Sequence, residues 1–106
     1  MSDWAQPETE LADLAAAIAS PARVRILKLL ARQGGLFVSD LVAALPLAQS
    51  TVSEHLRVLR DARVVAHARV GQQVRYEVDP SALRRLSSLV GAIALSAPAM
   101  GSRRDA

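Results

Sequence analysis

The spacing of apolar positions changes period twice along this chain, and each change marks a new kind of element. In residues 8–18 (ETELADLAAAI), Leu11, Leu14 and Ile18 recur three and four apart, the spacing of one helical face. Ser20-Pro21 follows, an N-cap with proline at the first helical position. The helix it opens, ARVRILKLLARQ, is apolar around much of its circumference and is expected to be the central buried one, stopped by Gly34-Gly35. Leu36-Phe37-Val38 reads as a short extended piece. A third helix is expected from Ser39 or Asp40 to Leu45, with Leu41, Val42 and Leu45 inward, broken by Pro46.

The stretch PLAQSTVSEHLRVLR, residues 46–60, then predicts a tight turn and another helix. Val52, Leu56 and Leu59 form its apolar stripe. At 100° per residue, Ser50, Glu54, Arg57 and Asp61 fall almost opposite, with Ser53 and Arg60 on the flank. Two short helices joined this tightly form a helix-turn-helix. After Ala62 the period drops from 3.6 to 2: VVAHARV and QVRYEV flank Gly71-Gln72-Gln73, a hairpin with glycine at its tip. A hairpin directly after the second helix of such a pair is a wing. The helical period returns after Asp79-Pro80, which caps SALRRLSSLVGAIALSA, closed by Pro98. The expected fold is mainly α with a small β-hairpin, a winged helix-turn-helix over residues 8–97. Residues 1–7 and 98–106 are expected to be flexible, with the tail GSRRDA frayed.

The outer face of the helix after Pro46 opens with small, hydroxyl-bearing and amide side chains. A major groove about 12 Å wide accepts such a helix with its first turns against base edges. Gln49, Ser50, Thr51 and Ser53 are therefore candidate DNA contacts, where the positive end of the helix dipole also favours phosphate. Helix-start chemistry alone is the competing account of Gln49 and Ser50. Arg57 suits a phosphate or a guanine, and Arg60 lies nearby. Glu54 either accepts from a cytosine amino group or pairs with Arg57 three residues on. His55, about 60° from the stripe, either packs against the neighbouring helix or reaches a base. In the wing, alternate side chains face opposite ways, so Arg69 and Arg75 are not both expected at DNA. Gln72 and Arg75 are the expected wing contacts.

Composition narrows the picture. At 106 residues the chain is one domain with a core of Leu, Val, Ile and Ala, since only three residues are aromatic. The absence of cysteine removes disulfides, thiolate metal sites and thiol switches. Residues 1–20 hold four acids and no base, whereas residues 50–75 hold Arg57, Arg60, Arg63, Arg69 and Arg75 against Glu54 and Asp61. One end should repel polyanions and another attract them. Twelve of thirteen basic residues are Arg, which favours bidentate phosphate or guanine contacts but follows equally from a GC-rich genome. No secretory signal pattern opens the chain, so a cytoplasmic location is expected. No Ser–His–acid set or Gly-rich phosphate loop argues for an enzyme, no catalytic residue is named and no cofactor is expected.

The last helix is too apolar for a monomer's surface. Leu83, Leu86, Val90 and Ile93 form a stripe, widened by Leu89 and Leu95, and exposed patches of that size mark contact surfaces. The uncharged run over residues 86–102, broken by Pro98, is short for a membrane span. The expectation is a homodimer that buries this stripe together with Leu11, Leu14 and Ile18 of the first helix.

This order of elements resembles the winged-helix repressors of the ArsR/SmtB family over roughly residues 11–86. The residues that carry the resemblance are Ala19-Ser20-Pro21-Ala22-Arg23-Val24-Arg25-Ile26-Leu27, then Gln49-Ser50-Thr51-Val52-Ser53 with His55-Leu56-Arg57-Val58-Leu59, then Tyr76 through Pro80. The resemblance implies a homodimer on double-stranded DNA at an operator dyad, released by an inducer. It also exposes departures. Where family metal sensors carry Cys-Val-Cys, this chain reads Phe37-Val38-Ser39, and the last helix has no His, Asp or Glu between Asp79 and Asp105. Soft-metal sensing wants thiolate and imidazole, so no metal ligand set is expected, and the family's persulfide-sensing chemistry lacks its cysteine pair. That leaves a small organic ligand, a partner protein or no inducer at all. A winged-helix module that binds protein is the alternative function, and the neutral-to-basic outer face of residues 49–61 argues against it.

Overall fold

The computed structural model describes residues 5–100; the expected frayed tail at 101–106 and the first four residues lie outside the described residues. Five helices and a three-stranded sheet run in the order α1 (Gln6–Ile18), α2 (Pro21–Gln33), β1 (Leu36–Phe37), α3 (Val38–Ala44), α4 (Gln49–Asp61), β2 (Val65–Val70), β3 (Gln73–Val78), α5 (Pro80–Ser96). This is the expected winged helix-turn-helix. Helix α1 starts two residues before Glu8, with Pro7 in its first turn, so Gln6 and Pro7 are helical.

Local chemistry sets most boundaries. The Ser20 hydroxyl accepts from the Arg23 N–H at the start of α2, and Gly34 ends that helix in the left-handed region at φ 75°. At α3, the Asp40 carboxylate accepts from the Phe37 N–H at 2.9 Å. At α5, Asp79 accepts from the Ser81 N–H and hydroxyl, which holds its carboxyl below the usual range. The end of α4 departs from the usual chemistry. Arg63 N–H donates to the Arg60 carbonyl and Val64 N–H to that of Leu59, a Schellman closure. Its left-handed position is held by Arg63 at φ 62°, where glycine is customary.

Ile26, Leu30, Leu41, Val52, Leu56, Leu59 and Val64 are essentially inaccessible, so α2, α3, α4 and the foot of the wing share one core. Burying the α4 stripe contributes about 1.5–3 kcal/mol per residue. That stripe fixes which face of α4 stays outside.

The sheet order is β1-β3-β2, all antiparallel, with Val65 opposite Val78 and Val70 opposite Gln73. The loop is therefore two residues, Gly71 and Gln72, and Gln73 belongs to the strand. Gly71 has φ 63° and Gln72 is not in the positive-φ region, as a type II′ turn requires. The extended piece at Leu36–Phe37 pairs with Tyr76 and Arg75, so β3 is a central strand. His67 stacks on Tyr76 across the hairpin at 5.9 Å between ring centroids.

Helix α5 has no buried residue: Leu83, Leu86 and Leu89 are half-covered, while Val90, Ile93 and Leu95 are 50%, 62% and 89% exposed. Arg85 clamps α5 to α1 with two bonds to Glu10, at 2.9 and 2.8 Å, and the pairing lowers the Glu10 carboxyl below its ordinary range. No described helix is long and apolar enough to cross a membrane.

Candidate nucleic-acid interface

Helix α4 begins after Ala48, whose extended backbone turns the chain but whose side chain caps nothing. The opening amides of α4 are therefore not covered by a side-chain cap. Gln49, Ser50, Thr51 and Ser53 are all exposed, and their side chains make no hydrogen bond to other described residues. The same 13-residue helix buries Val52, Leu56 and Leu59 completely. One turn of polar side chains and helix-start amides thus stands outward on a rigid support.

One turn further on, the charges are not arranged as a basic patch. Arg57 is forked by two carboxylates: its Nε and NH2 donate to Glu54 at 3.0 and 2.6 Å, and its NH1 donates to Asp61 at 2.9 Å. These bonds lower the Glu54 carboxyl and raise Arg57 further above its already high value. Arg60 lies 3.5 Å from the other Asp61 oxygen. Two acids and two bases lie together here, and of the two readings open at Glu54 the pairing with Arg57 is the one observed. The helical spacing i, i+3, i+4 brings Glu54 and Asp61 to either side of Arg57.

His55 is also placed differently from a base contact. It is half-buried, and its Nδ1 accepts from Arg23 Nε at 3.2 Å, which directs that edge of the ring into the fold. Of the two readings open at His55, packing against a neighbouring helix is the one observed.

Gln72 is exposed at the tip beside Gly71. Arg75 is engaged within the fold: its NH2 donates to the Gly34 carbonyl at 2.8 Å and its NH1 to Glu77. Its guanidinium lies so close over Gly35 that a Cβ there would meet it at 2.5 Å, and Gly35 adopts φ 128°. Arg75 ties the wing to the turn after α2. Exposed Arg69, on the opposite face of the hairpin, makes no ion pair with any described residue, and neither does Arg63. Sequence alone does not tell which of five neighbouring guanidiniums have intramolecular carboxylates.

Among the residues expected at a dimer contact, Leu11 and Ile18 are half-buried, as are Leu83 and Leu86, whereas Val90 and Ile93 are open. Leu14 is 7% exposed and spent in the chain's own core, so it has little surface left for a second copy. An open cleft of about 950 Å³ lies between α1, the end of α4 and the start of α5, lined by Asp13, Arg57, Asp61, Arg63 and Arg85 among others. Among the described residues no group of three His, Asp or Glu could hold a metal ion, and Phe37-Val38-Ser39 does not fit the thiolate site of metal sensors.

A model of bacterial regulatory proteins of the arsR family matches residues 20–67, the segment from the Ser20 cap through α4 into the wing. The solved structure of a "possible transcriptional regulator for arsenical resistance" is 34% identical, with a TM-score of 0.70, covering 76% of this chain and 83% of that one. The chain belongs to the ArsR family of transcriptional regulators. A transcriptional repressor SmtB homolog from Synechocystis sp. is 44% identical over 69 residues, 65% of this chain and 52% of the relative, so the match spans about half that protein's length. A possible ArsR-family regulator from Mycobacterium bovis, solved as a homodimeric winged helix-turn-helix DNA-binding domain, is 26% identical at a TM-score of 0.67, covering 89% of this chain and 90% of that one. The matched segment contains α3 and α4, the two helices of the helix-turn-helix pair.

Proposed function

We propose that this ArsR-family chain is a homodimeric repressor that binds an inverted-repeat operator and is released by a signal other than a thiol-bound metal or arsenic. The observation that carries the reading is the first turn of α4: Gln49, Ser50, Thr51 and Ser53 exposed and without intramolecular bonds, on a helix whose opposite face is fully buried. Gln49 suits the N6/N7 edge of adenine, and the serines suit bases or phosphates. Arg63 and Arg69 supply phosphate contacts, and Gln72 lies along the flanking minor groove. A second copy docked on the exposed half of α5 places two α4 helices one helical turn apart on the duplex. The homodimeric Mycobacterium bovis domain supports a dimer, and the exposed apolar face of α5 supports its placement there. The lack of cysteine supports the exclusion of thiolate sensing.

The test is a salt titration of binding to DNA from the chain's own upstream region. Two free cations per protomer neutralise four phosphates, so log K should fall against log salt with a slope of about −3.6. Ser53→Ala should alter base preference at one position of each half-site and leave the slope unchanged. A salt-independent affinity, or unchanged preference across the Gln49, Ser50 and Ser53 variants, sinks the reading.

A further inference from the structure

We infer that Arg23 is a positioning residue that locks the recognition helix to the end of the first helix, and so sets the angle at which α4 meets DNA. The inference rests on the reading of α4 as the DNA-contacting element. Arg23 stands on the buried stripe of α2, three, four and seven residues before Ile26, Leu27 and Leu30. A half-buried guanidinium there needs partners, because its charge is desolvated and its N–H groups are directional. It finds them on two other helices. NH1 donates to the carbonyls of Ala16 and Ala17, at 3.2 and 3.0 Å, in the last turn of α1. Nε donates to His55 Nδ1 of α4 at 3.2 Å, across 32 residues of sequence.

Each side of this link answers a local deficit. Helix α1 has no basic residue in its last turn and no glycine at its end, so its terminal carbonyls and the negative end of its dipole lack a cation of their own. Arg23 supplies one from the next helix. On the other side, an imidazole that accepts at Nδ1 carries its proton at Nε2, which fixes both tautomer and ring orientation. The planar guanidinium spans both partners at once, and a lysine ammonium lacks that fixed fork. Because α1 packs with α5 through the Glu10–Arg85 clamp, the link joins the apolar face of α5 to the helix that reads DNA. It touches no phosphate.

The experiment combines a double-mutant cycle on the full-length chain with ¹⁵N NMR of the His55 ring. Arg23→Met keeps the aliphatic stem, and His55→Phe keeps the ring without its acceptor. Each single variant should weaken specific operator binding by roughly tenfold, and the pair should be no worse than either alone, since both delete one link. Random-DNA affinity and the salt slope should not move, and Arg23→Lys should not rescue. In the ¹⁵N spectra, the wild type should show the Nε2–H tautomer and Arg23→Met should lose that preference. Additive losses, a salt slope reduced by about one unit, or unchanged specific affinity of the folded variants overturns the inference. So does a His55 tautomer indifferent to Arg23, which is read without DNA. If the wild type binds no DNA while its tautomer depends on Arg23, the function assigned to α4 fails and the Arg23–His55 bond itself survives.

Discussion

Arg57 and Arg63 show how a residue's neighbours decide whether its charge is usable. Arg57 has the better position, on the outer face of α4, yet Glu54 and Asp61 engage all three of its guanidinium nitrogens. Each contact is exposed, so the pairs contribute little to stability; their effect is to compete with phosphate. Glu54→Gln should leave the melting temperature nearly unchanged and strengthen binding to any DNA, with the salt slope steeper by about one unit per protomer. Equal affinity for wild type and variant at low salt would show that Arg57 is already on the phosphate and that Glu54 yields freely. Arg63 is the reverse case: its charge is free, but its backbone is left-handed at φ 62°. A side chain there costs about 1–2 kcal/mol relative to glycine. Arg63→Gly is therefore expected to stabilise the fold by about 1 kcal/mol in urea while weakening DNA binding evenly across sequences. A stabilised variant with undiminished affinity would remove Arg63 from the interface.

At the scale of elements, what was legible in the sequence was whatever is decided within one turn of chain. Ser20-Pro21, Gly34, Asp79-Pro80 and the Val52–Leu56–Leu59 stripe each act on residues at most a few positions away, and each marks the boundary or face observed. The pairing of Leu36–Phe37 with Arg75 and Tyr76 is not of that kind. It depends on where α2 delivers the chain, and two residues carry no periodicity from which to read a partner. Arg75 follows from the same cause: once β1 lies beside β3, the Gly34 carbonyl comes within reach of its guanidinium, and a wing cation becomes a strut. The Arg23–His55 bond crosses 32 residues and was equally hidden, although one signal was present. An arginine in register with Ile26, Leu27 and Leu30 on the central helix had to find hydrogen-bond acceptors on a neighbouring element.

For the whole molecule, the unpartnered half of α5 is the feature on which the proposed dimeric DNA binding depends. Its inner leucines are half-covered by the rest of the chain, and its outer residues Val90, Ile93 and Leu95 point away from it. A second copy presenting the same surface about a two-fold axis would cover both sets, because an isologous contact needs only one self-complementary patch. A glutamate at Ile93 would carry a charge into that apolar contact, where its desolvation is costly. Ile93 is 62% exposed within one chain, so the substitution leaves the core intact. Ile93→Glu is therefore expected to keep its circular dichroism spectrum and to sediment as a single chain at micromolar concentration. Its operator affinity should fall by well over a hundredfold, because two half-sites then bind independently and the effective-concentration advantage of a joined pair is roughly 10²–10⁴. Random-DNA binding per protomer should change little, as the phosphate contacts belong to each chain. A variant that still sediments as a dimer would place the contact elsewhere on the chain. A monomer that retains full operator affinity would mean that one α4 helix suffices, and the two-fold operator would have to be abandoned.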